Sequence, residues 1–229
     1  MKLAYSGRSA PSAQAIAEAS DGDIQAVRSG RAGINWGRNH ADSELNADIS
    51  NSTNKRRMRE LFAEHEVPTP KLYDCPRYAI DQGIVLVGRP DRHMKGRGYW
   101  LCQSRDDVDR AVRGTRRKAA ATHFMEFIDA PREYRVHIFK GKSIRISEKD
   151  TTAFHEYTTI KPTNNVKHVR KAAKAAIAAL GLDFGAVDVL ANDEQAWVLE
   201  CNAAPGLGGS MARLYAEVFN QWENGEFDE

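Results

Sequence analysis

The chain has 229 residues, 41% hydrophobic and 28% charged, which suits a soluble protein able to bury a sizeable core. A formal net charge of +2 aims no global field at nucleic acid or membrane, and no apolar run is long enough to span a bilayer. Cys75, Cys102 and Cys201 lie far apart without zinc-site spacing, and the start, MKLAYSGRSAPSAQAI, reads poorly as a signal peptide, so the expectation is reduced thiols in a cytoplasmic protein.

Residues 2–5 read as a strand, 11–19 as a helix with Pro near its first turn, and 32–36 (AGINW) as a second strand closed by Gly37. This is a short strand–helix–strand unit, and residues 38–53 are a loop by composition. A helix follows over Thr53–Glu66, with Ser52 or Thr53 as N-cap and Met58, Leu61 and Phe62 as its apolar stripe. Lys55, Arg56, Arg57 and Arg59 occupy the rest of its first turns, and most of them read as a solvated basic face. Val67-Pro68-Thr69-Pro70 ends it, because a residue before proline is pushed out of the helical region, and a subdomain boundary falls here. Gly83–Arg89 is a strand stopped by Pro90. A basic, glycine-punctuated loop leads from it to a strand at Tyr99–Gln103. Gly96 and Gly98 permit close backbone approach, and Arg89, Lys95 and Arg97 add charge, so phosphate is the natural ligand; a lone GxG also suits a plain hairpin. Residues 105–120 read as a helix whose Arg110, Arg113, Arg116, Arg117 and Lys118 form a solvated face or, at most, a nucleic-acid patch.

Thr122–Ile128 is a strand, and Glu133–Lys140 with Ser143–Ser147 is a hairpin through Gly141. Glu133, Arg135 and His137 alternate with apolar residues, and Arg145 can share their face from the partner strand. Residues 148–163, with Lys149, His155, Glu156 and Lys161, lack clear periodicity and suit a mobile loop or a substrate-contacting segment. Asn164 or Asn165 can cap a basic, alanine-rich helix over Val166–Leu180. Strands at Ala186–Leu190 and Ala196–Glu200 then flank a turn at Asn192 and Asp193. Residues two apart on a strand share a face, so Glu200 and Asn202 project together and Asp188 can join them. Three oxygen-bearing side chains there suit a hard cation such as Mg²⁺, although the same trio on a solvent-facing hairpin need bind nothing. Cys201, between two of them, should point into the core. Pro205-Gly206 ends the strand, and a last helix spans about Ser210–Trp222.

In this order the features resemble the ATP-grasp superfamily of carboxylate–amine ligases, from about Asn54 to Leu214. Four parts carry the resemblance. The first is D-x₁₁-E-x-N-x-x-P-G at Asp188, Glu200, Asn202, Pro205 and Gly206; the second is FMEFIDAPREYRV. The others are VGRPDRHMKGRG and the weaker NK…VPTP. The resemblance implies an α+β fold, with two antiparallel-sheet subdomains gripping ATP behind a shortened preATP-grasp α/β unit. The expected division is 1–52 for that unit and 53–229 for the ATP-grasp domain, split at about 71–125 and 126–222. The shortness of the first unit is similar to compact phage and bacterial members and leaves the substrate open. By resemblance, Asp188, Glu200 and Asn202 hold Mg²⁺, with Mn²⁺ as an alternative, on ATP. Glu126, Phe127 and Ile128 match the hinge that presents backbone groups to adenine, and Glu133 the acid that takes the ribose hydroxyls. Arg89, Lys95, Gly96, Arg97 and Gly98 match the phosphate-binding strand and loop. Arg stands at 89 where many members carry Lys, which keeps the charge. Arg145, with Arg135 as a further candidate, would steady the reacting groups.

The implied reaction activates a carboxylate as an acylphosphate and joins it to an amine, the partners being small-molecule or peptide substrates. A small-molecule kinase on the same fold and a non-catalytic nucleotide- or nucleic-acid-binding module are the alternatives. Substrate identity, a nucleic-acid-linked acceptor and oligomeric state stay open; no membrane partner is expected.

Overall fold

The protein, seen in a computed structural model, is described at residues 1–28, 32–37, 39, 42–91, 98–149, 157–159 and 166–227. It divides into two compact units, Met1–Pro68 with Arg132–Glu229, and Thr69–Pro131. Among the described residues no helix is long and apolar enough to cross a membrane.

The first unit begins with strand β1 (Lys2–Tyr5), helix α1 (Ala10–Ala19), and strands β2 (Gln25–Val27) and β3 (Ile34–Trp36). The strands are parallel in the order β2-β1-β3. β2 has only three residues, too few to show alternation, which is why the sequence does not announce it. Two helices follow, α2 (Ser50–Thr53) and α3 (Lys55–Glu64). The α3 cap is Asn54, not Ser52 or Thr53. The Ser52 and Thr53 hydroxyls donate back to the Ile49 and Ser50 carbonyls inside α2. Asn54 is extended, and its Oδ1 accepts from the Arg56 and Arg57 amides at 3.1 Å each. The Pro68 carbonyl, just past α3, accepts from the Val198 amide at 2.7 Å.

The second unit holds helix α4 (Pro76–Asp81), strands β4 (Leu86–Arg89) and β5 (Trp100–Cys102), helix α5 (Arg105–Arg113) and strand β6 (His123–Glu126). Its antiparallel sheet runs β5-β4-β6 and packs one face, with Leu86, Cys102 and Phe124, on Ala79, Val108 and Ala111 of the helices. α4, a single short stretch begun by Pro76, has too little length for a periodic signal. α5 stops well short of residue 120. Gly114 takes φ +65°, and a Cβ there would lie 2.7 Å from the Ala120 amide nitrogen, so the chain reverses at glycine. Arg116, Arg117 and Lys118 therefore lie off the helix, and the Lys118 ammonium sits 4.0 Å from the Trp100 ring centre.

The first unit resumes with strands β7 (Arg132–Phe139), β8 (Lys142–Lys149) and β9 (Tyr157–Thr159), helix α6 (Lys167–Ala179), strands β10 (Phe184–Ala191) and β11 (Ala196–Asn202), and helix α7 (Gly209–Glu223). The antiparallel order is β11-β10-β7-β8-β9. Val136, Ile138, Val187, Val189, Val198 and Cys201 pack one face of this sheet on α6. On the other face Phe139 and Phe184 meet Trp36, Tyr215 and Phe219, with the Trp36 and Phe184 rings stacked at 5.4 Å. The α+β class, with a parallel N-terminal sheet and two antiparallel sheets, is the one expected from the sequence. The expected caps Asn164 and Asn165 lie outside the described residues.

Candidate functional site

Strand register brings the polar residues of the larger sheet to one face. Asp188 stands opposite Glu200, and Ala186 opposite Asn202. Arg135 stands opposite Asp188, Glu133 opposite Leu190, and His137 opposite Ala186. Arg145 stands opposite His137 on β8. Opposed residues of antiparallel strands share a face, so Glu133, Arg135, Arg145, Asp188, Glu200 and Asn202 do too. Simple alternation fails at two places. The β7–β8 register shifts after His137, pairing Ile138 with Ser143 and leaving Ile144 as the extra residue. The β10–β11 register shifts after Asp188, pairing Val189 with Val198 and leaving Leu199 as the extra residue of a bulge. Without it Val198 would share the face of Glu200; with it Val198 and Cys201 both reach the core.

Burial dominates the electrostatics of this face. Asp188 is 6% exposed, and the Arg135 fork donates to its two oxygens at 2.7 and 2.9 Å. Burial pushes the Asp188 carboxyl above its ordinary range, Arg135 pulls it back, and the negative charges of Glu200 and Glu133 push it further up. The Lys55 ammonium lies 3.3 Å from Glu200 and its side chain is only 17% exposed, so it is not part of a solvated face. The Asn54 cap starts α3 one residue before Lys55, while Arg56 and Arg57 pair with Glu60 and Glu64 on the helix surface. The sequence did hold a signal for Lys55 in the Asn54-Lys55 pair of the NK…VPTP stretch. Asn202 Nδ2 donates to Glu200 Oε1 at 3.1 Å, and Lys149 Nζ to Glu133 Oε2 at 2.6 Å. His137 lies deeper on the same face, its Nδ1 3.1 Å from the Tyr215 hydroxyl. Burial first, then Arg135 and Arg145, bring its pKa down to about 3, so the ring is a neutral spacer beside two arginines.

The donor set fits a hard divalent ion. Among the described residues no three His, Cys, Asp or Glu side chains gather around one point. Two carboxylates and an amide suit an ion that keeps water and phosphate oxygens as its other ligands. The carboxylates stand on adjacent strands in direct register and each already draws a cation, Arg135 or Lys55, which shows how strongly this face calls for positive charge.

The second unit carries the remaining predicted residues. Leu72, Met125, Val87 and Leu101 lie in one register row across its sheet, on the face away from the helices. Leu72 and Leu101, at the ends, are 46% and 42% exposed, so the row is an open apolar platform. Glu126 ends β6 beside it, with the Glu126 and Phe127 amides donating to Lys71 and Val85 carbonyls at 2.8 and 2.9 Å. Ile128 is thus the first hinge residue past these pairings. Arg89 ends β4 with its guanidinium 5.6 Å from the Tyr99 ring centre. Gly98 has φ +79°, and a Cβ there would lie 2.7 Å from the Pro90 ring, so only glycine closes the base of this loop. Lys95, Gly96 and Arg97 lie outside the described residues, as do His155, Glu156 and Lys161.

No family model matches the chain. A probable alpha-L-glutamate ligase of Parasynechococcus marenigrum is 26% identical over 185 residues, covering 73% of this chain and 40% of that protein. A tetrahydromethanopterin:alpha-L-glutamate ligase of Methanococcus maripaludis is 26% identical over 176 residues, covering 70% of this chain and 60% of that protein. The chain therefore spans about 40% and 60% of the length of these curated relatives. Among solved structures, D-alanine–D-alanine ligase from Bacillus anthracis matches with TM-score 0.66 and 14% identity, over 99% of this chain and 98% of that one. The ATP-grasp ligase PsnB, complexed with minimal precursor, Mg and ADP, matches with TM-score 0.69 and 15% identity, over 96% of each chain.

Proposed function

The chain is an ATP-grasp protein by fold, and on that premise we propose that it is an Mg²⁺–ATP-dependent ligase that joins a carboxylate to an amine. The observation that carries this is the register of Asp188 against Glu200, with Asn202 two residues on, beside Arg135. Asp188, Glu200 and Asn202 would hold the metal. Bound there, Mg²⁺ or Mn²⁺ would neutralise phosphate charge. Arg135 orients Asp188 through its fork, and Lys55 sets the position of Glu200. The apolar row ending at Leu101 would seat the adenine, with Glu126, Phe127 and Ile128 offering backbone groups and Glu133 the ribose contact. Arg89, Lys95 and Arg97 would meet the phosphates, and Gly96 and Gly98 would let the loop approach them.

A carboxylate oxygen of the acid attacks the γ-phosphorus, and ADP leaves. The amine nitrogen then attacks the acyl carbon, phosphate leaves, and the nitrogen loses its proton to solvent. Arg145 would steady the negative charge that passes through both steps. No side chain is needed as a covalent nucleophile; the residues position the reactants and balance charge. The relatives' names make glutamate the first substrate to test, with peptides after it.

The test is an ADP-release screen over amino acids and peptides, with mass spectrometry of the products. Amine-dependent ADP release with a condensed product is the expected result, and Glu200→Ala should lower it at least about 10²-fold with the circular dichroism spectrum unchanged. Phosphorylated product without condensation would assign a kinase instead. Failure of the unmodified protein to bind ATP with Mg²⁺ would sink both.

A further inference from the structure

Helix α6 carries an electrostatic arrangement that its own fold does not explain. Lys167, Arg170, Lys171 and Lys174 crowd its first two turns, and the helix contains no Asp or Glu. Cations at a helix N-terminus oppose the macrodipole, and like charges three or four residues apart repel. Several other helical arginines are neutralised in place: Arg57 by Glu60 and Glu64, Arg77 by Asp109, and Arg105 by Asp81. Among the described residues the four cations of α6 have no carboxylate partner, and the buried Arg170 Nε has no hydrogen-bond acceptor. Lys167, Lys171 and Lys174 are exposed.

A pocket of about 440 Å³ opens beside this row, lined by Glu66, Pro68, His168, Lys171, Gln195 and Trp197. The His168 ring is fixed there, its Nε2–H donating to the Asn192 carbonyl at 3.0 Å. Because α6 covers the sheet face opposite to that of Asp188 and Glu200, this surface is separate from the proposed metal set.

We propose that this surface docks an acidic peptide segment of a protein partner. Its carboxylates lie along Lys167, Lys171 and Lys174, and one apolar side chain enters the pocket. The row spans roughly 10 Å at a helical rise of about 1.5 Å per residue. An extended peptide covers that in about three residues. A nucleic-acid backbone would place only a few phosphates on it, too few for firm binding at physiological salt. Pro68 and Trp197 line the pocket and favour an apolar anchor.

The experiment is fluorescence anisotropy of the full chain with a fluorescein-labelled peptide of glutamates and leucines. A lysine-for-glutamate peptide and an oligodeoxythymidine serve as the other probes. The acidic peptide should bind most tightly, more weakly at high salt. The variant Lys167→Glu, Lys171→Glu, Lys174→Glu should weaken it by about tenfold or more. Lys167→Glu puts an acid in the first turn, where the helix dipole favours it, and all three positions are exposed, so the melting temperature should hold. If it fails to fold, Lys171→Gln alone should still weaken binding about threefold. Equal binding by the variant and the unmodified chain overturns the proposal. So does absence of peptide binding at low salt, or tighter binding of the oligodeoxythymidine.

Discussion

Cys201 sits between two residues of the candidate metal set yet faces the opposite side of the sheet, and its chemistry follows from that side. Burial raises the thiol to about 12, so it stays protonated and inert in the folded protein. Cys102 is buried and also raised, whereas Cys75 is exposed. A thiol-reactive dye near pH 8 should therefore label Cys75 quickly and the other two only after unfolding. Fast labelling of Cys201 would mean that β11 does not keep this register. His137 makes a second prediction. Its folded pKa of about 3 lies below the ordinary 6.5, so the folded state binds fewer protons between these values. Its contribution is complete above pH 6.5 and is lost as pH falls toward 3, with a slope of about 1.4 kcal/mol per pH unit. Urea titrations across that range should show the slope in the unmodified chain and a flatter one in His137→Gln. Equal slopes would place the titration elsewhere.

The start of α3 links local capping to the proposed site. Asn54 caps two amides, and the turn that it sets puts Lys55 on Glu200. Asn54→Ala should cost about 1 kcal/mol in urea unfolding. It should also weaken Mg²⁺–ATP binding, which a cap acting on stability alone would leave unchanged. α5 makes a pH-dependent case. Asp107, the acid of its capping box, has its carboxyl held at about 2, first by the Ser104 side chain and then by the Gln103 amide. A depressed carboxylate stabilises the folded state above its ordinary value of 3.8, and the benefit is lost as pH falls through about 2. Acid titration of the second unit's stability should show this loss in the unmodified chain and not in Asp107→Asn.

At the scale of the whole molecule, ligand linkage tests the metal set without any knowledge of the substrate. A ligand held at about a hundred times its Kd adds about 2.7 kcal/mol to stability, which in a chain of this size raises Tm by several degrees. Mg²⁺–ATP should produce such a shift in the unmodified protein, and Glu200→Ala should lose most of it. An equal shift in both would remove Glu200 from the metal set.

What the sequence determined by itself was local and periodic. Alternation, glycine and proline punctuation and the Asn192 turn define the hairpin that carries Asp188, Glu200 and Asn202, because residues two apart on a strand share a face wherever no bulge intervenes, as between Glu200 and Asn202. The same spacing carried the ATP-grasp resemblance. Tertiary structure decided what depends on pairing across long sequence distances. The bulge at Leu199 follows from the competing demands of the core for Val198 and Cys201 and of the polar face for Glu200. Lys55 meets Glu200, and Arg135 grips Asp188, only because α3 and β7 are brought to β11 and β10. The apolar row of Leu72, Met125, Val87 and Leu101 draws on separate segments, none of which reveals a platform alone. Register is a property of two strands, so neither strand's sequence states it.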